Sequence, residues 1–166
     1  MKKDYRYKLS RKSSVITLIV LVAVIGFLVY LNYYSASGFF PAWLTSLVIT
    51  ILLLYILSIP RFVRVTEEAL EIHCLVELTK IKLIDIKSVK KIEKRNMRYS
   101  FPILGSYGFF GYYGYYYNFA EMGLQKVYAS KWDNFVRINT IYEETYIINC
   151  DDPDELIHLI AKNKTA

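Results

Sequence analysis

The chain is short of charge in two places, and short of cysteine and histidine throughout. No Asp, Glu, Lys, Arg or His occurs between Lys12 and Arg61, and none between Arg98 and Glu121. The two cysteines, Cys74 and Cys150, are too few and too far apart for a zinc motif or a disulfide framework. Beside Ile72 and Ile148 they read as small core residues, kept as thiols in a reducing cytosol. His73 falls in a strand alternation and His158 on a terminal helix, and no nucleophile elbow, HExxH or carboxylate pair with a base accompanies them. The sequence offers no catalytic residue, metal ligand or cofactor site, and is read as a non-enzyme.

The first gap, residues 13–60, is decisive. A bilayer core about 30 Å thick takes about 20 apolar residues per helical crossing. The gap therefore holds two crossings, expected at about 14–33 and 40–59, joined by a short external turn. Asn32, Ser35, Ser37, Gly38 and Pro41 supply the helix-breaking residues of that turn. Tyr30, Tyr33, Tyr34, Phe39, Phe40 and Trp43 crowd the same end, where amphipathic rings meet the lipid–water boundary. A cleaved signal peptide ending near Ser35-Ala36-Ser37 is the competing reading. The first apolar run is long for one, and a second full-length run follows it at once.

Charge orients the hairpin. Lys2, Lys3, Arg6, Lys8, Arg11 and Lys12 precede the first span against Asp4 alone, Arg61 and Arg64 follow the second, and the turn has no charge. Basic flanks and a bare turn place both termini in the cytoplasm, in a multi-pass protein of the inner membrane. Of the net charge of +6, the first twelve residues carry +5 and residues 61–166 only +1. The excess belongs to a membrane-flanking tail over residues 1–12, not to a nucleic-acid-binding domain. Within residues 61–166, Lys80, Lys82, Lys87, Lys90, Lys91, Lys94, Arg95 and Arg98 gather a basic stretch. Together with the flanking bases, Lys90, Lys91, Lys94 and Arg95 are candidates for contact with anionic headgroups; the plain alternative is a solvated face.

After Pro60 the pattern turns to short alternating runs. Strands are expected at 61–65, 69–76, 79–83, about 86–92, 124–130, 134–140 and 145–150. Asp152-Pro153-Asp154-Glu155 then places an N-cap, a proline at the first helical position and a carboxylate at the third. Leu156, Leu159 and Ile160 give that helix an apolar stripe with which to cover an open end of the sheet. The expected fold is a membrane α-hairpin followed by a mainly-β domain, its antiparallel strands forming a partly open barrel or sandwich capped by one C-terminal amphipathic helix.

That order of elements resembles a pleckstrin-homology (PH) domain. Val65-Thr66-Glu67-Glu68-Ala69-Leu70-Glu71-Ile72 is similar to the opening of bacterial PH-like domains that follow paired membrane helices, and Lys82-Leu83-Ile84-Asp85-Ile86-Lys87-Ser88-Val89 to a later segment of theirs. The Gly-rich stretch 105–114, Tyr128-Ala129-Ser130 and the closing Asp151-Asp152-Pro153-Asp154-Glu155 follow in the same order, so the resemblance covers residues 61–162. It implies a binding role without catalysis; some relatives act in bacteriocin immunity or envelope stress. The first hairpin loop here carries Glu67 and Glu68, where phosphoinositide readers carry bases, which argues against that ligand.

Residues 99–119 stand apart. Gly105, Gly108, Gly111 and Gly114 recur every third position, with Tyr and Phe between them. No Lys-Ser or Lys-Thr follows to make a P-loop, and no cation interleaves the rings to stack nucleic acid. A long loop or irregular hairpin packed on the sheet is one reading. The other is an exposed aromatic surface in which Tyr107, Phe109, Phe110, Tyr112, Tyr113, Tyr115 and Tyr116 meet the membrane interface, a protein partner or a second copy. The expected function is membrane-anchored binding or scaffolding through that loop and the basic face. Immunity against a membrane-active peptide is the alternative, and a structural subunit of a membrane complex a further one.

Overall fold

The computed structural model describes residues 3–34, 39–76 and 78–164. The uncharged gap becomes two helices, α1 (Arg11–Tyr34) and α2 (Phe39–Leu57), both long and apolar enough to cross a membrane. Ser10 caps α1 by accepting the Ser13 backbone N–H on its hydroxyl at 3.1 Å. Asn32 on α1 donates to the Thr45 hydroxyl on α2 at 3.1 Å, an interhelical bond near the turn. Four of the turn residues, 35–38, lie outside the described residues.

Most of the remaining described residues form two sheets. In the first, strands run in the order β1 (Lys3–Arg6), β2 (Pro60–Val65), β3 (Ala69–Cys74), β4 (Leu78–Lys82). The second has six strands: β5 (Ile86–Ile92), β6 (Ser100–Gly108), β7 (Gly111–Asn118), β8 (Gly123–Ala129), β9 (Phe135–Thr140) and β10 (Thr145–Asn149). Their order across the sheet is β5-β9-β10-β8-β7-β6, so β10 returns into the gap between β8 and β9. It is antiparallel to β9 and parallel to β8, an exception to the antiparallel expectation. Neither sheet closes on itself. Helix α3 (Pro153–Lys164) ends the fold, its N-terminus capped as its sequence predicts: Asp152 Oδ1 accepts the Glu155 N–H at 3.0 Å.

Strand β10 explains the placement of the core. Tyr146, Ile147, Ile148 and Asn149 are all buried, so both faces of this strand are covered. One face joins Val63, Leu70, Ile72, Ile81, Val136 and Ile138, and α3 adds Leu156 and Ile160 to the same cluster. The other face joins Met97, Tyr112, Tyr116, Val127 and Phe135, with Trp132 packed over them. Cys150 is buried in the first cluster, and neither Cys74 nor Cys150 is in a disulfide.

Two elements differ from the sequence expectation. The first twelve residues are not simply a tail, because Lys3–Arg6 pair antiparallel with β2. Tyr5 and Tyr7 alternate with Asp4, Arg6 and Lys8, and both rings pack against the core. Residues 99–119, read as a long loop or an irregular hairpin, form the hairpin β6–β7, irregular in register between Pro102 and Leu104 and turning on Phe109 and Phe110.

Candidate functional site

The glycine repeat builds the hairpin and brings it to the helices. Gly105 pairs with Gly114 and Gly108 with Gly111, so the repeat is symmetric about the turn. Gly105 and Gly114 hold φ of +138° and +113°, and a Cβ on either would collide with the backbone carbonyl of the facing strand. No other residue fits that close approach. A Cβ at Gly108 would lie 3.0 Å from Ile16 Cδ1, which marks where the hairpin meets α1.

Hydrogen bonds fasten it there. The Phe110 N–H donates to Thr17 Oγ1 at 2.8 Å, and Thr17 and Ser13 are the buried residues of α1. Tyr55 on α2 donates its hydroxyl to the Gly105 carbonyl at 3.1 Å, and Tyr113 donates to the Tyr55 carbonyl at 3.1 Å. Between α2 and the hairpin lies a cleft of about 430 Å³, lined by Leu54, Tyr55, Leu104, Tyr113, Tyr115 and Tyr128 among others.

This arrangement divides the aromatic residues that the sequence singles out. Tyr112, Tyr113 and Tyr116 are buried and so belong to the core. Tyr107, Tyr112 and Tyr116 surround the Trp132 ring at centroid distances of 5.5, 4.7 and 6.0 Å. Phe109 and Phe110 are half-buried, Phe109 edge-on to Tyr55. Tyr107 and Tyr115 are exposed, as are Phe101, Ile103 and Leu104 on the edge strand β6. The outward surface thus centres on the β6 edge, of which the sequence points to Tyr107 but not to Phe101, Ile103 or Leu104. The signal available for it was the run Phe101-Pro102-Ile103-Leu104, apolar without a covering partner.

The basic residues fall into two groups. Arg6 and Arg61 are exposed at the foot of the helices, and Lys3 lies at the far end of β1, opposite Val65; Lys2 lies outside the described residues. Arg64 is engaged by Asp4, and that guanidinium holds the Asp4 carboxyl below its usual range. Lys90, Lys91, Lys94 and Arg95 lie on β5 and the 3₁₀ turn after it, with Lys91 bonded to Asp154 at 2.6 Å. That turn leads into the start of β6, roughly 26 Å of extended strand from the aromatic tip. Aromatic tip and distal bases are separate surfaces.

On β8 and β10, Lys126 donates to Glu144 at 2.8 Å, and the Tyr146 hydroxyl donates to the other Glu144 oxygen at 2.6 Å. The Lys126 bond, then that of Tyr146, pulls the Glu144 carboxyl below its ordinary value. Burial opposes the charge on Lys126, but Glu144 and Tyr146 outweigh it and the ammonium ends above its usual range. Lys126 also lies 5.7 Å from the Tyr115 ring centre, which ties this polar group to the hairpin. Burial, reinforced by Asp152 and Asp151, pushes the Cys150 thiol up to about 12, which makes it a poor nucleophile.

Open sheets, one capping helix and two membrane-length helices packed on an aromatic hairpin define a membrane-associated binding module. The chain belongs to the bacterial PH domain family, whose model matches residues 61–163. No curated protein and no solved structure matches it. The match begins at the foot of α2, so strand β1 lies outside the family's span although it completes the first sheet.

Proposed function

We propose that this chain is a two-span protein of the cytoplasmic membrane, with both termini in the cytoplasm, acting by binding and not by catalysis. It holds its PH domain as a fixed scaffold directly beneath the bilayer. One observation carries the reading: β1 and β2, the strands on either side of the helix pair, are hydrogen-bonded neighbours over four residue pairs. Helices whose feet are tied in this way leave the membrane on one side. Arg6, Lys8, Arg11, Lys12 and Arg61 make that side the cytoplasmic one, where each base near anionic headgroups contributes about 1 kcal/mol. The exposed bases Lys90, Lys94 and Arg95, far from the tip, are the surface offered to an acidic protein partner.

A second reading, protection against a membrane-active peptide, is favoured by the cleft between α2 and the hairpin. Its mainly apolar lining, including Leu54, Leu104 and Tyr113, suits an aliphatic or aromatic side chain of an inserted peptide. Photocrosslinking residues at 90, 95 and 104 of the full chain in native membranes test the two together. Protein adducts from 90 and 95 support the scaffold, and a peptide adduct confined to 104 supports protection. Lipid adducts alone at all three positions would contradict both.

A further inference from the structure

We infer that the β6–β7 hairpin is a third membrane-contacting element, its turn and the exposed side chains of its edge strand β6 resting at the boundary between headgroups and acyl chains in the leaflet that α1 and α2 enter. The inference rests on the two-span reading above. Depth comes first. Thr17, which holds the turn, is five residues past Lys12, about 7.5 Å of helix rise. Phe109 shares a recess with Val20 and Ile51, and Val20 stands about 12 Å past Lys12 along α1. With the Lys12 ammonium at the headgroups, the Phe109 side of the turn lies just below them, while Phe110 faces Leu9 and Arg61 at their level.

The surface has the matching chemistry. Residues 99–120 carry no charge, and Ile103, Leu104 and Tyr107 are 63, 68 and 55% exposed. Leu104 lines one cleft with Leu54, and Tyr107 another with Ile51 and Leu52, so this strip continues the exposed apolar flank of α2. Water would not favour such a strip, whereas hydrocarbon would.

The backbone is prepared for the same place. Polar groups of the main chain need partners within the protein where hydrocarbon begins, and water or headgroups can supply them only at the boundary. At this tip several are met by hydroxyls. Thr17 accepts from the Phe110 N–H, Ser106 donates to the Phe109 and Gly111 carbonyls, Tyr116 to the Ser106 carbonyl, and Tyr55 to the Gly105 carbonyl. Phe110 itself holds φ of +56°, a strained position for a bulky residue. The same turn places Phe110 in a recess with Tyr7, Leu9, Ile59, Pro60, Arg61 and Ser130, at the level of the helix feet.

A second copy adding a strand to β6 is the rival occupant. Pro102 and the irregular register between Pro102 and Leu104 interrupt β6 as a template for pairing. The lipid boundary, where water and headgroups still meet the open backbone of β6, fits this edge better than another strand.

Spin labels on the full chain in phosphatidylcholine–phosphatidylglycerol vesicles test this. Labels enter through Leu104→Cys, Tyr107→Cys, Val22→Cys and Tyr142→Cys, each with Cys74→Ser and Cys150→Ser. The ratio of collision with oxygen to collision with a water-soluble nickel chelate is read at each site. The ratios at 104 and 107 should fall between that at 22 on α1 and that at 142, on the β9–β10 turn, and exceed the latter several-fold. Ratios at 104 and 107 equal to that at 142, with 22 still lipid-like, overturn the inference and leave the two-span reading standing. An aqueous ratio at 22 overturns both. Spin–spin broadening at 104 with low access to both reagents puts a second copy on the edge, which also overturns it.

Discussion

Asp4 and Arg64 stand directly opposite each other on β1 and β2 and meet in a two-point ion pair, with N–O distances of 2.6 and 2.8 Å. Both membrane-length helices lie between them in sequence. The pair is partly exposed and screened by solvent, so its own contribution to stability is small. Its effect is on register: a one-residue slip would break both bonds and turn Tyr5 away from the core.

The stability of this junction lies in the tyrosines. The Tyr7 hydroxyl donates to the Tyr128 carbonyl at 2.9 Å. Tyr7→Phe should cost about 1 kcal/mol, and Asp4→Asn should lower stability less than that change does. Denaturation midpoints of the full chain in detergent check both. Removal of residues 2–6 should cost more than either, because it takes the Tyr5 ring from the core and a strand from the sheet.

The glycine pair at the middle of the hairpin should tolerate no side chain. Gly105→Ala or Gly114→Ala places a Cβ against a facing carbonyl at positive φ, and should cost about 1–3 kcal/mol or more. Gly26 on α1 has nothing within 4 Å of its would-be Cβ, so Gly26→Ala should be neutral or slightly stabilising. Thermal unfolding of the three variants side by side separates the hairpin effect from a general intolerance.

Helix α3 should be docked through Leu156, which is fully buried. Leu156→Ala should cost about 2–5 kcal/mol. Asp152→Ala, which removes the cap, should cost about 1 kcal/mol. An unchanged melting temperature in both would show that the helix is not held as described.

Acid should weaken the β8–β10 junction. The folded state holds the Glu144 carboxyl below its ordinary value of 4.5, so its contribution is complete above that pH. It is lost as pH falls below 4.5 through the lower folded value. Lys126 has the opposite sign: its ammonium, raised from 10.5, contributes below that pH and loses its effect above it. Urea midpoints measured down to acid pH should fall less steeply in Glu144→Gln than in the parent.

Much of this architecture is written in patterns of charge and alternation. The uncharged stretch at 13–60 yields both helices, strands β2 to β5 and β8 to β10 stand where alternation puts them, and Asp152-Pro153 opens α3. The hairpin β6–β7 was hidden for a physical reason. Alternation marks a strand with one wet face, and Tyr112 and Tyr116 pack inward on Trp132 while Tyr113 meets α2. Its readable sign was the symmetry of the four glycines about Phe109-Phe110. Strand β1 was hidden by its shortness and by the distance to its partner, although Tyr5 and Tyr7 show the alternation. For the site, the sequence points to the right segment, but not to which rings are core and which edge faces outward. Those follow from the register across Gly105 and Gly114 and from Tyr55 and Thr17 on the helices.

The central claim is that two spans bring both ends of the chain, and the PH domain with them, to the cytoplasmic side. A reporter enzyme active only outside the cytoplasm, fused after Ala166 in one strain and inserted within residues 35–38 in another, tests it most directly. The account predicts a silent C-terminal fusion and an active insertion. Activity at the C-terminus would turn the domain outward and contradict it.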